Sequence, residues 1–181
     1  MKRIASIAAA LALGLLLPGC VFTSGQIRID FDLPNFTAST QAGITGQPID
    51  LNDEEEYADN KDKLKDLADL AVLGRITNSG ATDIDVVVWM TPAITLHTTD
   101  LQLKGDATKV KLWGPFHLKS GETRVVDWDE SAKLFSSAGK TALLNEAKGD
   151  GTFSIYAVAE QGTYTFGVES GVLILVLDAG L

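Results

Sequence analysis

The sequence predicts a mainly β domain built as a sandwich of antiparallel sheets. Short apolar segments recur along the 181 residues, and clusters of Gly, Pro, Asn and Ser separate them. This spacing of strands and turn signals is typical of all-β sandwiches. One longer stretch, at 129–148, instead has apolar residues at helical spacing. The length fits a single domain with its own core.

The first predicted strand covers 26–33. Apolar side chains occupy every second position, and charged or polar side chains lie between them. This alternation predicts a half-buried strand. Pro34 ends it, because proline cannot donate to a strand ladder. Residues 35–48 are rich in Thr, Ser, Gly and Gln and predict a loop, with a short edge strand inside it as the alternative.

The segment 53–66 carries acids first and lysines last. That order complements the dipole of a helix, and Asp59 and Lys63 have the spacing of a helical ion pair. We expect one or two helical turns, or an ordered loop, as a short charged helical segment.

The strongest strand signals lie at 70–77 and 84–90, on either side of the turn 78–80. Together they predict a β-hairpin. Further strands are predicted at 94–103, 109–113, 122–128, 151–160, 163–168 and 172–177. The last is apolar throughout, so we expect a central strand buried on both faces.

The inserted helix is predicted from residues at helical spacing: Leu134, Phe135, Ala138, Ala142 and Leu143. Gly149 offers a stop. Because Gly139 weakens the middle by about 1 kcal/mol, we expect the helix to bend or split there.

Residues 74–83 read Gly-Arg-Ile-Thr-Asn-Ser-Gly-Ala-Thr-Asp, and Ile-Asp-Val-Val-Val-Trp follows at 84–89. This stretch resembles the strand–turn–strand of immunoglobulin-like domains of bacterial surface proteins. The resemblance implies an immunoglobulin-like β-sandwich, and an adhesive or structural role only by analogy, since fold does not fix function.

The N-terminus combines Lys2 and Arg3 with an apolar run at 4–17 and the stretch Leu17-Pro18-Gly19-Cys20. The run is shorter than the roughly 20 residues that a membrane span requires. The segment resembles the signal peptide of a bacterial lipoprotein, and the Leu-Pro-Gly-Cys stretch resembles its lipobox. An ordinary secretory signal is the alternative, but an unpaired cysteine in an exported chain favours lipidation.

The lipoprotein resemblance implies cleavage between Gly19 and Cys20, with acyl chains such as palmitate attached at Cys20. The expected organisation is a signal peptide at 1–19, a lipidated tether at 20–25 and a β-sandwich domain at 26–181. Val21 follows the cysteine where families of this kind place an Asp to retain the protein at the inner membrane. Its absence implies the outer membrane.

The formal net charge is −9, and removing Lys2 and Arg3 with the signal peptide makes it −11. Such a balance argues against nucleic acid as a partner and against electrostatic binding to an anionic membrane. The acyl chains would therefore hold the protein to the membrane.

Calcium binding is considered because Asp50, Asn52 and Glu54 alternate as in a calcium loop. Glu55 replaces the required glycine, and Lys61 stands where a bidentate Glu is needed, which excludes an EF-hand. A looser calcium site and a solvated charged cap remain as alternatives for 50–66.

The sequence gives no catalytic motif. Leu134 replaces the first glycine that Gly139-Lys140-Thr141 would need in a P-loop. His97 and His117 lack the short spacings of zinc ligands, and no Gly-x-Ser-x-Gly elbow is present. We therefore predict no catalytic residue, metal or cofactor, and a chain that is not an enzyme.

Two sets of residues, the three tryptophans and the acids at 127–130, leave alternatives open. Trp89, Trp113 and Trp128 either pack in the core or form a sugar-stacking surface. The acids at 127–130 either cap the helix that follows or form a glycosidase-like pair.

The expected function is that of a membrane-anchored lipoprotein of the outer membrane, acting as a non-enzymatic structural or protein-interaction module of the cell envelope. Its partners would be the membrane, through the lipid, and an envelope protein. The alternative is a lipoprotein that binds carbohydrate or calcium.

Overall fold

The computed structural model describes residues 24–41, 43–94, 96–160 and 162–180. The predicted signal peptide, the cleavage site at Gly19 and Cys20, and the tether up to residue 23 lie outside the described residues. Within them, β1 begins at Ser24.

The strands are β1 (Ser24–Leu33), β2 (Phe36–Ser39), β3 (Gly46–Asp50), β4 (Leu64–Asn78), β5 (Ile84–Thr91), β6 (Val110–Leu118), β7 (Thr123–Val126), β8 (Thr152–Ala159) and β9 (Thr165–Gly180). The helices are α1 (Glu55–Ala58), α2 (Asp100–Gly105), α3 (Trp128–Leu134) and α4 (Ser137–Lys148). Single 3₁₀ turns at Leu51–Asp53 and Lys61–Lys63 flank α1.

The strands form two antiparallel sheets. The first has the order β1-β9-β4-β7, and β2 continues the line of β1 along β9. The second has the order β3-β8-β5-β6. The predicted class is confirmed: a mainly β sandwich with an inserted helical region and a short charged helical segment.

The strand order is that of a jelly roll. From β2 onward the chain alternates between the sheets, and only β5 and β6 are consecutive strands in the same sheet. This arrangement of two interlocked Greek keys is the jelly-roll form of the sandwich.

β1 behaves as its alternation predicts. Ile29 is buried, and Ile27, Phe31 and Leu33 pack against the core, while the polar residues between them are exposed. β9 is also confirmed as a central strand, between β1 and β4. Its residues at 173–177 are buried or half-buried on both faces.

The predicted hairpin of 70–77 with 84–90 is wrong. β4 pairs with β9 and β7, whereas β5 pairs with β6 and β8, so the two strands lie in opposite sheets. Buried Asn78 fixes this crossing, because its Nδ2 donates to the carbonyls of Thr82 and Lys119 at 2.8 and 3.0 Å. A strand–turn–strand pattern alone does not distinguish pairing within a sheet from a crossing between sheets.

The strand predicted at 94–103 is also wrong for the described part of that range. The chain there is irregular and then enters α2. Thr99 and Gln102 form a capping box, in which each side chain accepts from the other residue's backbone N–H. That box satisfies free amides at the helix start and favours the helix over a strand.

The inserted helical region splits at Phe135 and Ser136, not at Gly139 as expected. Ser136 caps α4 by accepting from Gly139 N at 2.8 Å. Gly139 instead marks a close approach, because a Cβ there would lie 2.7 Å from Leu112 Cα on β6. The two helices contact β4 and β6 and close one side of the sandwich.

Candidate functional site

The three tryptophans do not form one surface. Trp113 is fully buried and stacks on Phe116 with ring centroids 5.6 Å apart. Its Nε1 donates to the Ser131 hydroxyl and carbonyl at 3.1 and 3.2 Å. Trp128 is half-buried at the start of α3 and donates to Asp69 at 3.0 Å. Core packing therefore accounts for Trp113, and Trp89 faces a separate groove.

We define the α2 groove as the cleft between α2 and the outer face of the second sheet. Its volume is about 290 Å³. Buried Val87 and Val158 on the sheet and Leu103 on α2 supply apolar walls. The rest of the lining is Thr40, Trp89, Asp100, Lys104, Lys109, Ala159, Glu160, Gly162 and Tyr164. A volume near 300 Å³ is the lower end of the range for small-molecule sites.

Charges of both signs ring the α2 groove and are largely paired. Lys104 Nζ lies 2.5 Å from Asp100, one turn away on α2. Glu160 accepts from Lys111 Nζ at 2.6 Å. Lys109 Nζ donates to the carbonyl of Lys104 at 2.7 Å. The groove therefore has alternating, mutually neutralised charges, which suits a neutral polar ligand better than a strongly charged one.

Two lysine ammonium groups lie over the Trp89 ring of the α2 groove. The ammonium groups of Lys109 and Lys111 lie 5.7 and 5.6 Å from the centroid of the Trp89 ring. Such cation–π contacts orient the ring. Burial and the nearby Asp100 carboxylate raise the pKa of Tyr164, so its hydroxyl stays protonated at neutral pH.

Sequence reasoning missed the α2 groove, although two signals were present. The capping box of Thr99 and Gln102 marks a helix start, and Leu103 supplies that helix with its buried residue. Val87 and Trp89 point outward from β5, and an apolar outer face requires a covering element. The segment 96–109 is that cover, and His97 N donates to the hydroxyl of buried Tyr156 at 3.1 Å.

The acidic segment 50–66 holds a lysine among its oxygens. Lys61 Nζ donates to Asn52 Oδ1 at 3.2 Å and to Asp150 O at 3.0 Å. Asp50 accepts from Asn52 N at 2.9 Å and caps the 3₁₀ turn. The ammonium group of Lys61 thus lies beside the oxygens that a calcium ion would need. Among the described residues, no three His, Cys, Asp or Glu side chains gather as metal ligands.

The two histidines lie apart and each pairs with an aspartate. His97 Nε2 is 2.8 Å from Asp106 and its ring stacks on Tyr156, while exposed His117 Nδ1 is 3.0 Å from Asp85. Hydrogen bonds from Thr108 and His97 lower the pKa of Asp106 to about 2. These contacts join the two ends of the segment 96–109, so His97 has a structural role.

The acids beside Trp128 have structural partners. Asp127 Oδ1 accepts from Glu130 N at 2.8 Å and caps α3. The Glu130 carboxylate forms an ion pair with Arg124. Capping therefore accounts for Asp127, and the ion pair accounts for Glu130. Likewise, Gly139, Lys140 and Thr141 lie inside α4 rather than in a strand-to-helix loop.

A second, smaller cavity lies inside the sandwich. Its volume is about 60 Å³, and its lining comes from both sheets, including Val86, Trp113 and Leu173. It opens beside Pro34 and Thr45. An apolar cavity that binds benzene has a volume of about 150 Å³. This cavity is less than half that size, so the larger α2 groove is the better candidate for a ligand site.

None of the helices in the described parts of the chain is both long and apolar enough to span a membrane.

No known family model matches the chain, and no curated protein matches it. Among solved structures, the chain is similar to a cryo-EM structure of Mud crab tombus-like virus at 3.3 Å resolution, with 9% identity and a TM-score of 0.37. The match covers 87% of this chain and 82% of that one. The jelly-roll assignment depends on the strand order and not on this likeness.

Proposed function

We propose that the chain is a lipoprotein of the outer membrane, anchored through Cys20, whose sandwich is a non-enzymatic structural or protein-interaction module of the cell envelope. The observation that carries the proposal is the Leu17-Pro18-Gly19-Cys20 stretch behind a short apolar run. The paired charges and structural contacts of His97, His117 and Glu130 support a binding role over a catalytic one.

The position of β1 supports close tethering. β1 begins at Ser24, and its first residue pairs with Gly180 near the end of β9. Four extended residues span at most about 14 Å. The acyl chains on Cys20 would thus hold the sandwich at the membrane surface, where its faces and loops are presented to other envelope proteins.

The test is fractionation of a bacterium with lipoprotein-processing enzymes that expresses the full chain or its Cys20→Ala variant. We expect the native chain in the outer-membrane fraction and crosslinked to an envelope protein there. The variant should be soluble or unprocessed. Recovery of the native chain in the soluble periplasmic fraction would overturn the proposal.

Binding of a small neutral carbohydrate is the second candidate function. The observation that favours it is half-buried Trp89 beside the α2 groove of about 290 Å³. The test is a titration with monosaccharides and short oligosaccharides followed by calorimetry, because the heat of binding does not depend on Trp89 as a reporter. Binding that Trp89→Ala abolishes and Trp128→Ala preserves would support it, and a flat titration would exclude it for the sugars used.

A further inference from the structure

β1 is an edge strand that is paired in a ladder on one side, and α1 lies close to part of it. It stands at the end of the first sheet, and in the part of the chain that the structure describes its ladder partner is β9 alone. The ladder covers Ser24–Leu33 without a register shift. A regular edge of this length is a template for pairing with another strand.

The outer face of β1 carries a compact charge pattern. Arg28 and Asp30 have 58% and 45% of their side chains exposed, and Arg28 Nε lies 2.7 Å from Asp30 Oδ1. Exposed Gln26 and Asp32 flank this pair. A partner strand will match the edge only if its charges oppose these.

A second copy of β1 fits that requirement. Directly opposite residues of two antiparallel strands lie on the same face, with Cβ atoms about 5 Å apart. When two copies pair about Ile29, Arg28 of each copy lies opposite Asp30 of the other, and Gln26 lies opposite Asp32. The two symmetry-related Arg28–Asp30 contacts then pair opposite charges, and the Gln26 amide can donate to Asp32.

The alternative registers are less favourable. Pairing about Arg28 brings two arginines together. Pairing about Asp30 places Arg28 opposite Asp32 twice, but it brings two aspartates together at the centre and shortens the overlap to 27–33. Pairing about Phe31 places Asp30 opposite Asp32 twice. If the register shifts by a single residue, core-facing side chains of one copy lie opposite solvent-facing side chains of the other. The pleat of the sheet excludes such pairings. Pairing about Ile29 also overlaps the strands over 25–33, which is nearly their whole length.

We propose that the protein forms a two-fold symmetric dimer through antiparallel pairing of β1 with β1 about Ile29. The pairing joins the first sheets of two sandwiches into one continuous sheet. It uses the free N–H and C=O groups of both edges, and it brings half-buried Ile27 of one copy opposite Phe31 of the other on the core face. The surface is isologous, as closed dimers require.

This inference goes beyond the proposed envelope role and does not depend on the anchor, although the two are compatible. The two-fold axis of such a pair is perpendicular to the sheet. When the axis is also perpendicular to the membrane, Ser24 of both copies lies at the same height above the bilayer, so one anchor does not hinder the other.

The experiment measures the mass of the full chain, purified in mild detergent from whichever cell fraction contains it, by native mass spectrometry and light scattering. Arg28→Asp and Asp30→Arg each place like charges opposite one another and should weaken the dimer at least tenfold. The double variant Arg28→Asp/Asp30→Arg restores opposite charges and should restore the dimer. Arg75→Asp, which breaks an equally exposed ion pair with Glu169 between β4 and β9, should leave it unchanged.

Thermal melts show whether each variant is folded. Hydrogen exchange of the native chain gives a second measurement, since the amides of 25–33 should exchange more slowly at high protein concentration. A native chain that is monomeric at about 100 µM, or single variants that dimerise as the native chain does, would overturn the inference. Either result would leave the lipid anchor at Cys20 untouched, because anchoring is read from fractionation.

Discussion

The contact between α4 and β6 determines whether substitution of Gly139 stabilises or destabilises the protein, so the sign of the change in stability tests the contact. Gly139 is the third residue of α4. By helix propensity alone, Gly139→Ala should stabilise the protein by about 1 kcal/mol. In the structure, the added Cβ would lie 2.7 Å from Leu112 Cα and 2.8 Å from Lys111 O. Both are backbone atoms of β6 and cannot rotate away.

The steric cost should exceed the gain in propensity. Overpacking a well-packed site costs about 1–3 kcal/mol, and the upper part of that range applies where backbone must shift. After the propensity gain is subtracted, we expect Gly139→Ala to lower the free energy of unfolding by about 1–2 kcal/mol. For a domain of this size that is a fall of about 2–8 °C in Tm.

The assay is urea unfolding of the native chain and two variants, compared at constant m-value. Gly105→Ala, at the end of α2, is the matched control, because a Cβ there meets no atom within 4 Å. It should be neutral or stabilising by up to about 1 kcal/mol. Finding Gly139→Ala as stable as the native chain, or more stable, would show that α4 does not approach β6 as closely as described.

Three further predictions follow from burial, hydrogen bonding and charge. Ile174→Asp should destabilise the protein by several kcal/mol, since Ile174 is only 2% exposed in a central strand, whereas Val125→Asp, at a site 65% exposed, should change Tm little. Asp106→Asn should cost about 1–2 kcal/mol at neutral pH. Folding lowers the pKa of Asp106 from 3.8 to about 2, so the native chain loses this stabilisation as pH falls from about 4 to 2. The difference in the free energy of unfolding between the native chain and Asp106→Asn should therefore shrink over that range. A difference that stays constant in acid titrations of stability would refute the prediction. Millimolar Ca²⁺ should leave Tm nearly unchanged, since Lys61 already lies among the oxygens of 50–66; a site saturated at 100 times its Kd would add about 2.7 kcal/mol.

Local periodicity predicted most of the elements but not their partners. The alternation of 26–33 predicted a half-buried strand and the apolar run at 172–177 predicted a central strand, because each pattern records how many faces of the strand are buried. The crossing from β4 to β5 was not predictable in the same way. Both a hairpin and a crossing between sheets bury the same alternating side chains, and only the contacts of Asn78 distinguish them.

The candidate site depends on long-range contacts and was therefore harder to predict. Trp89 was identified as a possible stacking residue. The sequence signals a helix start at Thr99 and an apolar outer face on β5, but it does not indicate that α2 is the element covering that face. The apolar residues at 94–103 alternate well enough to suggest a strand. The capping box of Thr99 and Gln102 favours a helix despite that alternation, because its side chains accept hydrogen bonds from the backbone amides at the start of α2. In a strand, those amides would need partners on a neighbouring strand.

The central claim is the lipid anchor, and the mass of the mature N-terminus tests it most directly. The full chain is expressed in a bacterium with lipoprotein-processing enzymes, extracted from membranes and analysed as the intact protein and as its N-terminal peptide. We predict that the mature chain begins at Cys20 and carries a diacylglyceryl thioether on that residue. An unmodified N-terminus at any other residue would contradict the account.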